Sequence, residues 1–238
     1  LDGRTGDQSE IAADLRAAGD ACARLGRLDE AINHLRTAES LYLAEAQNDD
    51  AGKVAFQIAQ LLYHDEQVEA SLPELDRARS LLRQAHDIEL VAVVDDFKAG
   101  AFIDLDRVEE AVELLRDCLR VAESTKSEKD DAYARHRLAA ALWENGEPAE
   151  AIHHLERARE QYLATEQPVP VASCDRLAAN CLRALGETDR AEELYRSARA
   201  VYDASGFEAE ALRCDVDLAI LAHAEGQYAE AAALNSRI

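Results

Sequence analysis

Small and apolar side chains recur along this chain at two periods at once. On the short scale they fall at i, i+3, i+4 and i+7, as in Ala134, Leu138, Ala141 and Leu142 and again in Ala151, Ile152, Leu155 and Ala158. That stripe predicts helices with one buried face. On the long scale Ala31, Ser71, Ala111, Ala151, Ala191 and Ala231 stand 40 residues apart. Twelve before each comes Gly19, Ala59, Ala99, Ala139, Ala179 or Ala219, and four after it Leu35, Leu75, Leu115, Leu155, Tyr195 or Asn235. A fixed period of this length predicts stacked units, each too small to bury its apolar face without its neighbours.

Between the two helical stripes of each unit the chain reads Gly26, Glu66, Asp106, Gly146, Gly186 or Gly226, five before the anchor, so four of six copies place glycine where a tight turn needs it. Pro148 follows Gly146 where a helix begins and its missing N–H is not needed. No segment alternates with the period of a strand. The expected fold is all-α, a right-handed α-solenoid of about six antiparallel helix-turn-helix repeats. Their bounds are about 9–47, 48–87, 88–127, 128–167, 168–207 and 208–238, after a polar stretch 1–8 read as a disordered lead or an expression remnant. Pro73 falls where its helix should already be running. Ser71-Leu-Pro-Glu74 reads as a capping box that starts this helix late, after a longer 65–70 connection, with a kinked helix as the alternative.

The phrases Gly26-Arg-Leu-Asp-Glu-Ala31-Ile and Gly146-Glu-Pro-Ala-Glu-Ala151-Ile, each with a small residue twelve before the anchor, resemble the tetratricopeptide repeat family. The resemblance covers residues 10 to 236, with a period of 40 that looks like a long-helix variant of the standard repeat. In place of the family's large aromatic sixteen before the anchor stand Leu15, Ala55, Asp95, Arg135, Asp175 and Asp215. Two readings fit these charges: an Asp95, Arg135, Asp175 ladder across neighbouring first helices, or plain solvation.

Charge narrows the function. The 48 acidic residues outnumber the 26 Lys and Arg for a net −22, which argues against nucleic acid and against an anionic membrane surface. No apolar run approaches bilayer length and no secretory signal opens the chain, so a cytoplasmic location is expected. Cys22, Cys118, Cys174, Cys181 and Cys214 replace small core residues and are expected to be reduced thiols. Adjacent His153 and His154 diverge around their helix and make a poor chelate, so no metal site is expected. Phosphate-binding, dinucleotide, zinc-protease and nucleophile-elbow motifs are all missing, so neither a catalytic residue nor a cofactor is assigned and the chain is not read as an enzyme.

What remains is a surface. The resemblance implies that first helices line a concave groove, and helical spacing puts Lys53, Phe56, Gln60, Tyr63 and His64 of repeat two there. Repeat four contributes Tyr133, His136, Arg137, Ala140 and Trp143; repeat five Arg176, Asn180 and Arg183; repeat six Arg213 and His223. Aromatics and arginines anchor interfaces, so the groove is a candidate site for a partner peptide or helix. Arg176 and Asn180 are similar to half of the family's carboxylate clamp, and Ile220 stands where a second Asn would complete it. Repeats four to six therefore favour an acidic or phosphorylated segment, whereas Val93, Asp96, Phe97, Ile103 and Asp104 of repeat three favour an apolar or basic one.

The chain is accordingly read as a scaffold or adaptor. The alternative is the sensing portion of a larger bacterial signalling protein, a transcription activator or an ATPase, because the chain lacks Met and stops inside a helix. Ala231, Ala232, Ala233 and Leu234 on that last helix are a further candidate surface, for self-association.

Overall fold

The computed structural model describes residues 5–125, 128–227 and 231–232. Among them are eleven helices: α1 (Thr5–Arg24), α2 (Leu28–Ala44), α3 (Asn48–His64), α4 (Val68–Gln84), α5 (Ile88–Asp104), α6 (Val108–Thr125), α7 (Glu128–Glu144), α8 (Pro148–Ala164), α9 (Pro168–Ala184), α10 (Thr188–Ala204) and α11 (Glu208–Ala224). Odd-numbered helices are the first members of hairpins and even-numbered ones the second. Helix α1 begins inside the stretch 1–8 set aside as a lead; residues 1–4 lie outside the described ones, as do Ala233 and Leu234. The chain forms two compact units, Leu1–Leu114 and Leu115–Ile238, each a stack of antiparallel hairpins.

Helix starts recur at half the 40-residue period of the repeats. From α2 onward each helix starts 20 residues after the last, because helices of 17 residues, 18 in α6, are joined by short connections, three residues long wherever they are fully described. One hydrogen-bond pattern makes these turns alike. The Arg27 N–H donates to the Cys22 carbonyl at 2.9 Å while the Gly26 N–H donates to that of Ala23, and the same pair recurs at Gln47 to Tyr42, Gln67 to Leu62, Arg107 to Phe102 and Glu187 to Leu182. This Schellman closure needs a left-handed residue. Gly26, Gly146, Gly186, Gly206 and Gly226 supply it, but so do Ala46, Glu66, His86, Asp106 and Glu166, with φ between 54° and 63°. A side chain there costs roughly 1 kcal/mol against glycine, a cost offset by apolar residues that dock inward beside each turn, such as Tyr42, Leu82, Phe102, Leu142 and Tyr202.

This regularity overturns one expectation. Helix α4 starts at Val68 like its sisters, with no longer connection before it, and Pro73 sits inside it. Ser71 is buried in the first turn and its hydroxyl donates to the Val68 carbonyl, so it is not an N-cap. Turn closure at Glu66 sets the start of the helix, and the proline forfeits one hydrogen bond, that to the Glu69 carbonyl.

Small residues let the helices of each hairpin approach closely. A Cβ on Gly19 would lie 2.8 Å from Leu35 Cγ, and one on Gly52 2.7 Å from Leu82 Cγ. In the amino-terminal unit Leu35, Ala38, Tyr42, Val54 and Ile58 share one core; in the carboxy-terminal unit Ala179, Leu182, Ala191, Tyr195, Leu218 and Leu221 share another.

Three of the charges sixteen before the anchors are buried rather than solvated. Asp95, Asp175 and Asp215 are each 3% exposed. Each meets an arginine of the preceding second helix: Arg79 Nε at 2.6 Å, Arg159 Nε at 2.5 Å and Arg199 Nε at 2.7 Å. Arg135 instead meets Asp131 at 2.9 Å and Glu123 at 2.7 Å. In α2, buried Glu39 is held by Arg77 at 2.6 Å and by Arg36, which also bonds Glu74. Burial pushes the Glu39 carboxyl above its usual range, against the pull of the two arginines.

All five cysteines are free thiols. Burial pushes Cys174 up to about 12 and Cys181 and Cys214 to about 11, whereas Cys22 and Cys118 are half-buried. Ellman's reagent at neutral pH is therefore expected to titrate two thiols in the folded protein and the other three only on denaturation, because the thiolate is the reacting species.

Candidate partner-binding faces

Several contacts between first helices within a unit share one offset. Arg16 Nε donates to Gln57 Oε1 at 3.3 Å, the Phe56 and Phe97 rings meet edge-on at 5.5 Å, the Tyr63 hydroxyl donates to Asp104, and Arg176 pairs with Asp217 at 3.3 Å. Each pair is 41 residues apart, so equivalent turns of neighbouring first helices lie side by side. Phe56, Tyr63 and Arg176 of the candidate groove take part in these contacts.

In the amino-terminal unit Phe56 is buried against Phe97, and Tyr63 packs on the same ring at 4.8 Å. Lys53 is half-buried and bonded to Asp49 of its own helix at 2.5 Å; Gln60 is half-buried and His64 exposed. The hydrogen bond to Asp104, and then burial, raise the Tyr63 hydroxyl above its usual range.

In the carboxy-terminal unit Tyr133 is 49% exposed on α7. His136, Arg137, Ala140 and Trp143 follow it at helical spacing, all half-buried. His136 Nε2 is 3.1 Å from the Ser173 hydroxyl, tying α7 to α9. On α9, Arg176 and Asn180 share a side, one turn apart, and Arg183 follows half-buried. Arg213 and His223 are exposed on α11.

Arg176 and Asn180 are both engaged from within. Asn180 Oδ1 accepts a hydrogen bond from the Tyr195 hydroxyl at 2.6 Å, and the Arg176 charge is met by Asp217. Burial raises the Asp217 carboxyl above its usual range while Arg176 pulls it down, so this pair stands partly desolvated. Sequence reading missed Asp217, Tyr195 and Ser173. The offset of 41 would have found Asp217 opposite Arg176; nothing local announces the other two.

Among the described residues no helix is long and apolar enough to cross a membrane, and no group of three or more His, Cys, Asp or Glu is placed to hold a metal ion.

Residues 95–238 match the family model described as soluble NSF attachment protein, SNAP, and residues 15–37, spanning the first hairpin, match a tetratricopeptide repeat model. No curated protein matches the sequence. Among solved structures, the apo form of RapI aligns with a TM-score of 0.81 at 18% identity, over 94% of this chain and 62% of that one. A signal transduction ATPase with numerous domains (STAND) from Pyrococcus horikoshii, which carries a tetratricopeptide repeat sensor, aligns at 0.81 with 12% identity, over 97% of this chain and 36% of that one. Bacillus thuringiensis PlcR, solved with the peptide PapR7 and DNA, aligns at 0.62 with 18% identity, over 86% and 74%. With the SNAP model matching more than half of its length and a tetratricopeptide model on its first hairpin, the chain belongs to the SNAP family of tetratricopeptide-type helical-repeat proteins.

Proposed function

We propose that the chain is a scaffold or adaptor that receives a partner peptide on its first-helix faces, and that α7, α9 and α11 take an acidic or phosphorylated segment. The observation that carries this reading is the juxtaposition of Arg176 with Asn180, followed by Arg183 on the same helix, in a protein of net charge −22. Guanidinium groups gathered against that background select carboxylate or phosphate. The peptide complex of PlcR, similar in fold, supports a peptide as the ligand class. Asp217 gives the site a resting partner: an incoming anion replaces it on Arg176, so the free site keeps its cation neutralised.

Fluorescence anisotropy of a labelled (Ala-Leu-Glu)3 peptide, with and without a phosphoserine, tests this. The overall charge repels that probe, so binding must come from local cations. Arg176→Ala and Trp143→Ala are each expected to weaken it about tenfold, and Asp217→Asn to tighten it. Raising salt from 0.05 to 0.5 M, rough limits chosen to span the screening range, is expected to abolish the Arg176 contribution. Affinity unchanged in both weakening variants would remove this face from consideration.

The similarity to the Pyrococcus STAND protein favours a second reading, in which the same surface is the sensor of a larger signalling protein. A nucleotide-binding or DNA-binding segment encoded next to this chain would decide for it.

A further inference from the structure

Three glycines, Gly19, Gly52 and Gly100, lie beyond the first turn of a described helix, and one differs from the others. Gly19 and Gly52 are required by packing, since a Cβ on either would strike a buried leucine. A Cβ on Gly100, in the last turns of α5, would meet nothing within 4 Å, and Gly100 is not among the residues of positive φ. Neither space nor backbone conformation calls for glycine there, and glycine inside a helix is destabilising against alanine. The same slot holds Gln60, Ala140, Asn180 and Ile220 in sister helices, so the fold accepts a side chain at this place. What Gly100 does is leave a bare patch of helix backbone on the first-helix face.

Rings and carboxylates flank that patch on α5. Phe97 lies one turn before Gly100 and Asp104 one turn after it, with Asp96 beside Phe97. Phe97 is joined by Phe56 and Tyr63 in a cluster of three rings, and Asp104 accepts from Tyr63 at its edge. Ring faces carry the negative end of the aromatic quadrupole, and the carboxylates add full charge. The two nearest lysines are engaged elsewhere: Lys53 with Asp49, and Lys98 with Asp76 and over the Phe102 ring at 5.2 Å. The amino-terminal unit as a whole has more than twice as many Asp and Glu as Lys and Arg.

We infer that this face is the docking site for a cationic peptide segment, whose arginine or lysine lays its aliphatic stem on the Phe97 and Tyr63 rings and its charge against Asp104, while its main chain passes over Gly100. The long stem suits the rings and the planar guanidinium suits a carboxylate, so arginine is the preferred residue. This site shares no residue with the anion-selecting face of α7, α9 and α11, and either can fail alone.

The test uses the whole chain and a labelled (Ala-Leu-Arg)3 peptide, read by anisotropy. Saturable binding is expected, weakened tenfold or more by Gly100→Gln, which fills the patch with the residue that α3 carries there, and by Phe97→Ala. Neither substitution changes charge, so attraction to the chain's overall charge survives in both. Gly100→Gln is expected not to lower the melting temperature of the unsubstituted chain, and Gly100→Ala to raise it by roughly 2–4 °C. No saturable binding, or affinity within twofold of the original in both variants, overturns the inference. So does a fall in melting temperature with Gly100→Gln, because the slot would not then be open. Loss of (Ala-Leu-Glu)3 binding in Arg176→Ala but not in Gly100→Gln would show the other face acting independently.

Discussion

Arg79→Ala is expected to destabilise the protein by about 3 kcal/mol, the lower end of what removal of one partner from a buried ion pair costs. Asp95 is buried, and its carboxylate lies 2.6 Å from Arg79 Nε. Without the guanidinium that charge is left between helices α4 and α5 with little access to water. Arg79 itself is 23% exposed, so some water reaches the vacated space and the cost stays below the upper end of the range. The double variant Arg79→Leu with Asp95→Ala is expected to recover most of the loss, since it removes the charge together with its partner. The chain already contains the parts of that solution: Leu119 stands in the Arg79 slot one repeat later, and Ala55 in the Asp95 slot one repeat earlier. Urea denaturation followed by helical circular dichroism would compare the two. Equal losses in the single and double variants would mean that the pair acts through packing alone.

Gly52→Val is expected to be nearly as damaging, at about 3 kcal/mol, the upper part of the range for overpacking a filled core. The new Cβ would start 2.7 Å from Leu82 Cγ and 3.3 Å from Leu81 Cβ, both on α4. Leu82 is fully buried, and the contact is with its branching carbon, so rotation about the side chain's end does not relieve it. Helices α3 and α4 must move apart, which loosens the hairpin below Ile58 and Val54. Adding Leu82→Ala is expected to restore part of the stability by vacating that space, and failure of this rescue would assign the damage to α3 itself. Gly100→Ala, on the next first helix, is expected to have the opposite sign. Two glycines that look alike in sequence are thus distinguished by what lies across from each.

The contrast shows where sequence reading reached and where it stopped. The 40-residue register of Ala31, Ser71 and their successors, the helical stripes and the glycine turns predicted an all-α array of hairpins, and the structure is one. Local reasoning erred at Ser71, where a capping box fitted the residues but not the helix. The start of α4 is set by closure of the turn at Glu66, two residues before Val68, and a non-glycine residue adopts the left-handed conformation there because packing of the flanking helices repays it. For the same reason the 20-residue half-period stayed hidden: Ala46, His86 and Glu166 carry no sign of the turns they make.

The candidate faces divide in the same way. Helical spacing alone put Phe56 with Tyr63 and Arg176 with Asn180 on common sides, because a helix places residues three and four apart together whatever surrounds it. Partners across helices depend on the offset at which neighbours pack. That offset is 41 between first helices at Tyr63 and Asp104, and 16 from a second helix to the next first one at Arg159 and Asp175. It arises from how side chains interlock, not from any short segment. The amino-acid order therefore settles the repeating helices and the sides they present. Which charges are quenched, as Arg176 is by Asp217, and which backbone is left bare, as at Gly100, is decided only when the helices meet.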